Sequence, residues 1–183
     1  TKENALANLE LYQILVDKDG IVPYPQETTD ERYWVKEPRE IEFKCTCSDF
    51  WWCLNNVAKG LWRNELPYAM DVINFVLRPH LKRLLEWKMG IENNFSVSAG
   101  KSCKYFKKYL QEETYRQFLA TYSIAEIESI WNSVFEMCDL FQSTAVELSK
   151  KQKFVYDFEQ AENSLSFLHH VRKLPANAKE IYP

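Results

Sequence analysis

The sequence is poor in glycine, with 4 among 183 residues, and it has no excess of basic residues. So few glycines argue against a fold built on glycine-rich phosphate-binding loops. Lys and Arg total 23 against 26 Asp and Glu, and the formal net charge of −3 argues against nucleic acid as the main partner. No apolar run reaches the roughly 18 residues that a membrane-spanning helix requires, so we expect no membrane partner.

The cysteines show no sign of a disulfide framework. The five thiols are odd in number and fit the reducing cytoplasm better than a disulfide framework. Cys45, Cys47 and Cys53 lie close together in the sequence but have no second Cys-x-x-Cys pair and no nearby His, so we expect no metal site. What the chain does contain is 46% hydrophobic and 15% aromatic residues, which is enough for the packed core of one domain.

The periodicity divides the chain into two parts. Residues 3–15 have apolar side chains at helical spacing, whereas residues 21–42 carry three prolines and no period, which indicates a helix followed by an extended linker. From Thr46 onward the patterns are helical. The sequence therefore predicts a mainly α fold, with a helical bundle over residues 46–183 preceded by an N-terminal arm and linker over residues 1–45.

Several helices are predicted within the bundle. The first is capped by Thr46 or Ser48 and buries an apolar stripe. The next runs from Pro67 to Met89, with a kink at Pro79, and ends at Gly90. A loop with strand-like residues follows over 93–102. Further helices are predicted over residues 104–110, 112–121, 125–151 and 157–173, and the one over 125–151 carries the clearest apolar stripe.

One polar face of the first helix combines unusual side chains. Asp49, Trp52, Asn56, Lys59 and Arg63 are spaced by three, four, three and four residues, so they line one side of the helix. A solvated stripe with a tucked indole is one interpretation. The other is the wall of a cleft whose cationic end suits phosphates and whose acidic, indole-bearing end suits a cationic ligand with rings.

Other motifs point to structural roles. Gly100-Lys101-Ser102 resembles the end of a phosphate-binding loop, but Phe95 stands where that motif requires glycine. Asp17 and Asp19 flank a lysine before Gly20, which is typical of a solvated turn. None of the three histidines has a cysteine or carboxylate pattern around it. We expect no metal ligands among these residues.

Longer segments resemble a known family, the aminoglycoside 6-adenylyltransferases that modify streptomycin. The resemblance is carried by DFWWCLNNVAKGLWRNELPYAMD, RPHLKRLLEWKMGIE and VSAGKSCKYFKKYL, and it extends through IWNSVFEMCDLFQ and FLHHVRKLP. It implies a polymerase-β-type nucleotidyltransferase domain followed by a C-terminal helical domain that contributes to the antibiotic site. The implied reaction moves AMP from ATP to a streptomycin hydroxyl with the help of Mg²⁺, and confers antibiotic resistance.

The resemblance also implies that something is missing from these residues. No Gly-Ser turn followed by an Asp-x-Asp strand occurs among them, and that pair of features carries the family's catalytic metals. We therefore expect a truncated, C-terminal part of such an enzyme, unable to adenylylate by itself and without tight binding of ATP or Mg²⁺. A nucleotidyltransferase domain acting in trans is the expected partner. The alternative is a non-catalytic helical module that binds a partner chain or an aminoglycoside.

Roles for individual residues follow from the resemblance. Lys59, and more weakly Arg63, are expected to contact the nucleotide phosphates. In a related kanamycin enzyme the general base is a glutamate one turn before that lysine, and Asn55 stands at this position, where it cannot accept a proton. Asp49 and then Glu65 are the remaining candidates for the base.

The antibiotic itself suggests the remaining site residues. Streptomycin carries two guanidinium groups, which carboxylates, amides and indoles recognise. The candidate substrate-binding residues are Trp51, Trp52, Asn55, Asn56 and Glu92.

Overall fold

The computed structural model describes residues 15–20 and 30–181. The helix predicted over 3–15 lies outside these ranges except for Leu15, and so does most of the predicted linker. Within the described ranges every regular element is a helix and no strand occurs, which confirms the mainly α fold. No helix in this part of the chain is long and apolar enough to cross a membrane.

The main helices follow one another through short connections. They are α1 (Glu40–Trp62), α2 (Leu66–Val72), α3 (Arg78–Glu92), α4 (Phe106–Tyr109), α5 (Glu112–Ala120), α6 (Ile127–Gln152) and α7 (Phe158–Lys173). Short 3-10 turns cover Glu31–Tyr33 and Lys101–Cys103, and a π-helical turn at Ile73–Leu77 joins α2 to α3. The predicted helices over 112–121, 125–151 and 157–173 are present within one or two residues of their expected ends.

Helix α1 begins six residues earlier than the sequence pattern predicted. Arg39 precedes it, and the Glu42 carboxylate accepts hydrogen bonds from the Arg39 backbone N–H at 3.0 Å and from its guanidinium at 2.8 Å. The bond to the Arg39 N–H is the carboxylate half of a capping box, and it satisfies one free N–H at the start of the helix. Thr46, the predicted cap, is instead buried inside the helix. The proposed boundary between residues 45 and 46 consequently falls within α1.

The α2–α3 segment is interrupted close to the predicted kink. Pro79 has no N–H to donate to the preceding turn, and the chain widens just before it. The Arg78 N–H reaches back five residues to the Ile73 carbonyl. The Arg78 guanidinium is buried, donating to the Thr121 hydroxyl at 2.7 Å and carbonyl at 3.0 Å and lying over the Tyr122 ring. This contact ties the start of α3 to the residues that follow α5.

Gly90 does not end α3, contrary to the prediction. The helix continues to Glu92, and Gly90 is buried within its last turn. A β-carbon at Gly90 would lie 2.7 Å from the Phe95 ring, so the missing side chain serves close packing. The strand-like residues that follow form a loop, attached to the segment before α1 by a hydrogen bond from the Val35 N–H to the Val97 carbonyl at 2.9 Å.

The core forms where α1 packs against α6 and α7. Phe50 of α1 stacks on Phe141 of α6, with ring centroids 3.7 Å apart, and Trp51 meets Phe141 edge to face. The Trp51 indole donates to the Tyr156 hydroxyl at 3.0 Å. Helix α3 packs on α6, where the buried Lys88 ammonium pairs with Glu147 at 2.7 Å. These contacts hold α1 rigidly, with one side facing outward.

Candidate functional site

The outward side of α1 carries the polar residues that the spacing placed together. We call this set, Asp49, Trp52, Asn56, Lys59 and Arg63, the α1 face. Asp49, Trp52 and Arg63 are exposed and the other two are half-buried. Four of them belong to one uninterrupted helix and Arg63 is its C-cap, so Asp49 and Lys59 lie on the same side, about 15 Å apart along the axis.

Two neighbouring helices border the α1 face. On one side α3 brings the half-buried His80 near Asp49: burial lowers the pKa of His80, and the negative charge of Asp49 raises it. On the other side Gln160 of α7 donates to the Ser48 hydroxyl at 3.1 Å. The face is therefore a strip of α1 left open between α3 and α7.

A groove between α1 and α7 begins at Trp52. It has a volume of about 470 Å³ and is lined by Trp52, Asn55 and residues of α7 and its N-cap, namely Asp157, Glu159, Gln160, Asn163, Ser164 and Phe167. We call it the α1–α7 groove. Its lining includes two carboxylates and no cation. The Trp52 side chain is 70% exposed, so an indole face is available at the groove's edge.

Asn55 supplies an unmet hydrogen-bonding requirement in this groove. Its Oδ1 atom is buried and accepts no hydrogen bond from the described residues. A buried carbonyl oxygen without a partner is unfavourable, by roughly 1–3 kcal/mol. Together with Asp157 and Glu159, this oxygen makes the α1–α7 groove suited to a ligand that donates hydrogen bonds and carries positive charge.

The cationic end of the α1 face lies at its C-terminal half. Among the described residues, neither Lys59 nor Arg63 forms an ion pair or a side-chain hydrogen bond, so both charges are available to an anion. Glu65 follows Arg63 by two residues, exposed at the N-cap of α2. It belongs to the turn after α1 rather than to the helix itself.

Two predicted substrate residues do not lie on an open surface. Trp51 is fully buried at 0% exposure and its indole N–H is used by Tyr156, so it stabilises the core instead of lining a site. The Glu92 carboxylate pairs with the buried Lys88 ammonium at 2.8 Å, and its side chain is only 19% exposed. Its charge balances Lys88 between α3 and α6. We therefore no longer expect Trp51 and Glu92 to contact the substrate.

Sequence reasoning missed the residues that complete the surroundings of the α1 face. His80 had no partner in the sequence pattern, and Asp157 and Glu159 looked like ordinary helix-start residues. All three reach α1 only through tertiary packing, so no local signal identified them. In the described part of the chain no three His, Cys, Asp or Glu side chains come together as a metal-binding group.

Comparison with known sequences agrees with the resemblance. The sequence profile of the family described as streptomycin adenylyltransferase matches residues 1–171. The aminoglycoside 6-adenylyltransferase of Bacillus subtilis (strain 168) is 33% identical over 160 residues, which is 86% of this chain and 56% of that protein. The enzyme of the same name from Staphylococcus aureus is 38% identical over 132 residues, covering 72% of this chain and 47% of the relative.

A solved structure supports the same assignment. The crystal structure of an aminoglycoside 6-adenyltransferase from Bacillus subtilis matches with a TM-score of 0.72 and 30% identity, covering 94% of this chain and 63% of that structure. The chain spans about half the length of the curated relatives it matches. With a family profile matched over almost its full length and a bundle shared with a solved member, this chain belongs to the streptomycin adenylyltransferase family.

Proposed function

We propose that this chain is part of an enzyme that transfers AMP from ATP to a hydroxyl of an aminoglycoside, with streptomycin as the first candidate. The substrate-binding helical domain would begin with α1 at Glu40, and the residues before it would form the arm and linker. The names of the relatives support the reaction class. The observation that carries the proposal is the α1 face, which presents an acid and an indole at one end and two unpaired cations at the other.

The cationic end suits the nucleotide. In adenylyl transfer the substrate hydroxyl attacks the α-phosphorus, the bond from that phosphorus to pyrophosphate breaks, and the hydroxyl proton passes to a base. Negative charge accumulates on the phosphate oxygens, and a fixed cation stabilises it. Lys59 is the candidate for this contact and Arg63, at the C-cap of α1, the second, because neither has a carboxylate partner within residues 15–20 and 30–181.

The other end of the face, with the adjoining α1–α7 groove, suits the antibiotic. The guanidinium groups of streptomycin are planar, positively charged donors that carboxylates bind and indoles stack upon. Trp52, Asn55 and Asn56 offer the ring and amide oxygens, and Asp157 and Glu159 add charge at the groove. This assignment keeps Trp52, Asn55 and Asn56 as substrate-binding candidates and replaces Trp51 and Glu92 with the α7 acids.

Asp49 remains the first candidate for the general base. It lies at the acidic end of the α1 face, one turn from Trp52 and the proposed antibiotic site, and a carboxylate there can accept the hydroxyl proton. His80 of α3 lies near this carboxylate, whose negative charge raises the pKa of His80 against the larger, lowering effect of burial. Glu65 is the second candidate, at the end of the face close to Arg63.

The residues described here do not fit a Mg²⁺ site of their own. Among the described residues no three His, Cys, Asp or Glu side chains come together, and Mg²⁺ bound for phosphoryl transfer typically uses one or two carboxylates together with substrate phosphates. We therefore propose that a nucleotidyltransferase domain, in cis or in trans, supplies the metal ligands. Since ATP is the donor substrate, the proposed compartment is the cytoplasm.

Titration calorimetry with streptomycin tests the antibiotic half of the proposal. The 183-residue chain is expected to bind streptomycin, and Trp52→Ala is expected to weaken binding about fivefold, equivalent to the roughly 1 kcal/mol of one cation–π contact. Phe75→Ala is the matched control, because Phe75 is similarly exposed, at 76%, and lies outside the α1 face. Absence of binding, or equal loss in both variants, would remove the antibiotic from this surface.

A further inference from the structure

A cavity of about 750 Å³ shows how α1 and α3 lie against each other. It is enclosed by the segment 30–37, by α3 and by the loop 98–105. Its four carboxylates balance its four cations, so the cavity itself favours neither sign of ligand. Glu37 stands exposed at its rim, and its wall joins Glu42 of α1 to Glu86 and Trp87 of α3. The N-terminal part of α1 therefore lies beside the C-terminal part of α3.

A second contact, near the turn between the helices, fixes their register. A β-carbon at Gly60 of α1 would lie 3.3 Å from the β-carbon of Ala69 in α2. Gly60 follows Glu42 by eighteen residues, and Ala69 precedes Trp87 by eighteen residues. Helix α1 therefore runs antiparallel to the α2–α3 segment, and the residues of the two face each other one for one.

This register places Asp49 opposite His80. Asp49 follows Glu42 by seven residues and His80 precedes Trp87 by seven, which is about two turns in each helix, so both residues stay on the facing sides. The electrostatics agree, because the negative charge of Asp49 raises the pKa of His80 against the larger, lowering effect of burial. Asp49 is exposed and His80 is half-buried. The pair lies where α3 borders the α1 face.

Two other titratable or charged groups act on this pair. Arg83, one turn further along α3, lowers the pKa of His80 through its positive charge. Cys53, one turn after Asp49, stays a neutral thiol, because burial and the Asp49 charge both raise its pKa. Within residues 15–20 and 30–181, neither Asp49 nor His80 forms an ion pair or a side-chain hydrogen bond. The net effect lowers the pKa of His80, so its ring is uncharged at pH 7 and leaves Asp49 free.

From this arrangement we infer that His80 is a positioning residue that competes with the substrate for Asp49. The uncharged imidazole leaves the carboxylate free at the α1 face. The protonated imidazole draws the carboxylate towards α3 as an ion pair, and the substrate then loses both its base and a nearby negative charge. The inference rests on the proposed function of Asp49 and extends it, because a proton on His80 and a cationic aminoglycoside must each weaken the binding of the other.

Proton NMR of the histidine rings in the 183-residue chain tests the pairing without ligand or activity. His80→Gln identifies the His80 signal by its loss. Asp49→Asn should move the midpoint of the His80 titration to lower pH, because it removes the charge that stabilises the imidazolium. Asp49 is exposed, so this variant should fold normally. Saturating streptomycin should move the wild-type midpoint in the same direction, and should move that of Asp49→Asn less.

Calorimetry measures the reciprocal effect on the antibiotic. Streptomycin should bind the wild type about threefold more weakly at pH 5 than at pH 7.5, the size expected for one exposed ion pair. This difference should be absent from His80→Gln. Asp139→Asn is the matched control: it removes an exposed aspartate of α6 that does not act on His80, and it should change neither measurement.

The outcomes separate this inference from the proposed function. An unchanged His80 midpoint in Asp49→Asn, or an equal shift of the His169 and His170 signals, would overturn the pairing. Streptomycin affinity that is the same at both pH values in the wild type would overturn the competition. Absence of streptomycin binding would instead count against the proposed function, and the Asp49→Asn titration would still decide whether the pair exists.

Discussion

At the scale of single residues, Glu86 is the carboxyl whose environment most opposes its ionised form. Burial is the largest influence and raises the pKa of Glu86, while the hydrogen bond from Cys103 and the positive charges of Arg83 and Lys82 lower it. The net direction is upward. The folded state therefore binds a proton more tightly at Glu86 than the unfolded state does.

This imbalance predicts how a substitution changes the pH dependence of stability. A carboxyl with a raised pKa favours folding at low pH, and stability decreases as the pH rises through that pKa. Glu86→Gln removes the ionisation and keeps an oxygen to accept the Cys103 thiol. Relative to the wild type, the variant's thermal midpoint should be higher at pH 7, and the difference should shrink towards pH 4.

Thermal unfolding followed by circular dichroism at both pH values measures this difference. Glu37→Gln, at the exposed rim of the same cavity, controls for the loss of one negative charge. A variant that is less stable than the wild type at pH 7, or a difference that does not depend on pH, would contradict the role given to burial.

Neighbouring residues show what the sequence can and cannot determine. Phe50, Leu54, Val57 and Leu61 were predicted to be the buried side of α1, and all four are buried. Trp51 and Trp52 were both placed in the site, because an indole suits either a core or a ligand. The partner that holds Trp51 is Tyr156, 105 positions away, and no local pattern contains that information. The site roles of Asp49, Lys59 and Trp52 remain predictions.

At the scale of elements, the two glycines that lie inside helices have different neighbours. A β-carbon at Gly90 in α3 would lie 2.7 Å from the Phe95 ring and 3.1 Å from a Val35 methyl. A β-carbon at Gly60 in α1 would lie 2.9 Å from the Tyr68 ring, which is 47% exposed, and 3.3 Å from the Ala69 methyl, a milder contact. The Tyr68 ring can move towards solvent, whereas the half-buried Phe95 is tied to Gly90 itself, because its backbone N–H donates to the Gly90 carbonyl at 2.7 Å.

Replacing each glycine by alanine should therefore have opposite consequences. Alanine improves helix propensity by about 1 kcal/mol, whereas overpacking a core typically costs about 1–3 kcal/mol. Gly90→Ala should lower the free energy of unfolding by about 1 kcal/mol, and Gly60→Ala should leave it unchanged or raise it. Urea unfolding of both variants provides the comparison. Equal stability of the two would show that the Phe95 contact adjusts freely.

The helices also differ in how well their ends could be predicted. The apolar stripe of α6 is long enough that its ends were predicted within two residues, and Asp157 caps α7 with a 2.9 Å bond to the Gln160 N–H. The start of α1 was missed because its N-cap residue is Arg39, which is not the usual Ser or Thr signal, and because Glu42 alone accepts the free N–H there. Gly90 misled the prediction because a glycine can equally end a helix or admit a close neighbour.

At the scale of the whole molecule, the bundle separates two surfaces along α1. The α1 face with its cations lies between α3 and α7, and the cavity that contains Glu42 lies near the opposite end of the same helix. Sequence periodicity predicted the helices that build both surfaces. It could not predict the cavity, because the three segments that enclose it, 30–37, α3 and 98–105, are brought together only by packing.

An activity assay tests the proposal that a second domain supplies the metal ligands. The 183-residue chain with ATP, Mg²⁺ and streptomycin is expected to release no pyrophosphate. A chimera in which this chain is joined to the part of the Bacillus subtilis relative that it does not match should release pyrophosphate.

In that chimera, Lys59→Ala should raise KM for ATP about tenfold, because one charge-assisted phosphate contact is lost, with little change in KM for streptomycin. Lys44→Ala, an exposed lysine of α1 outside the α1 face, is the matched control. Turnover by the chain alone would refute the need for a second domain, and equal effects on both KM values would remove Lys59 from the phosphate contact.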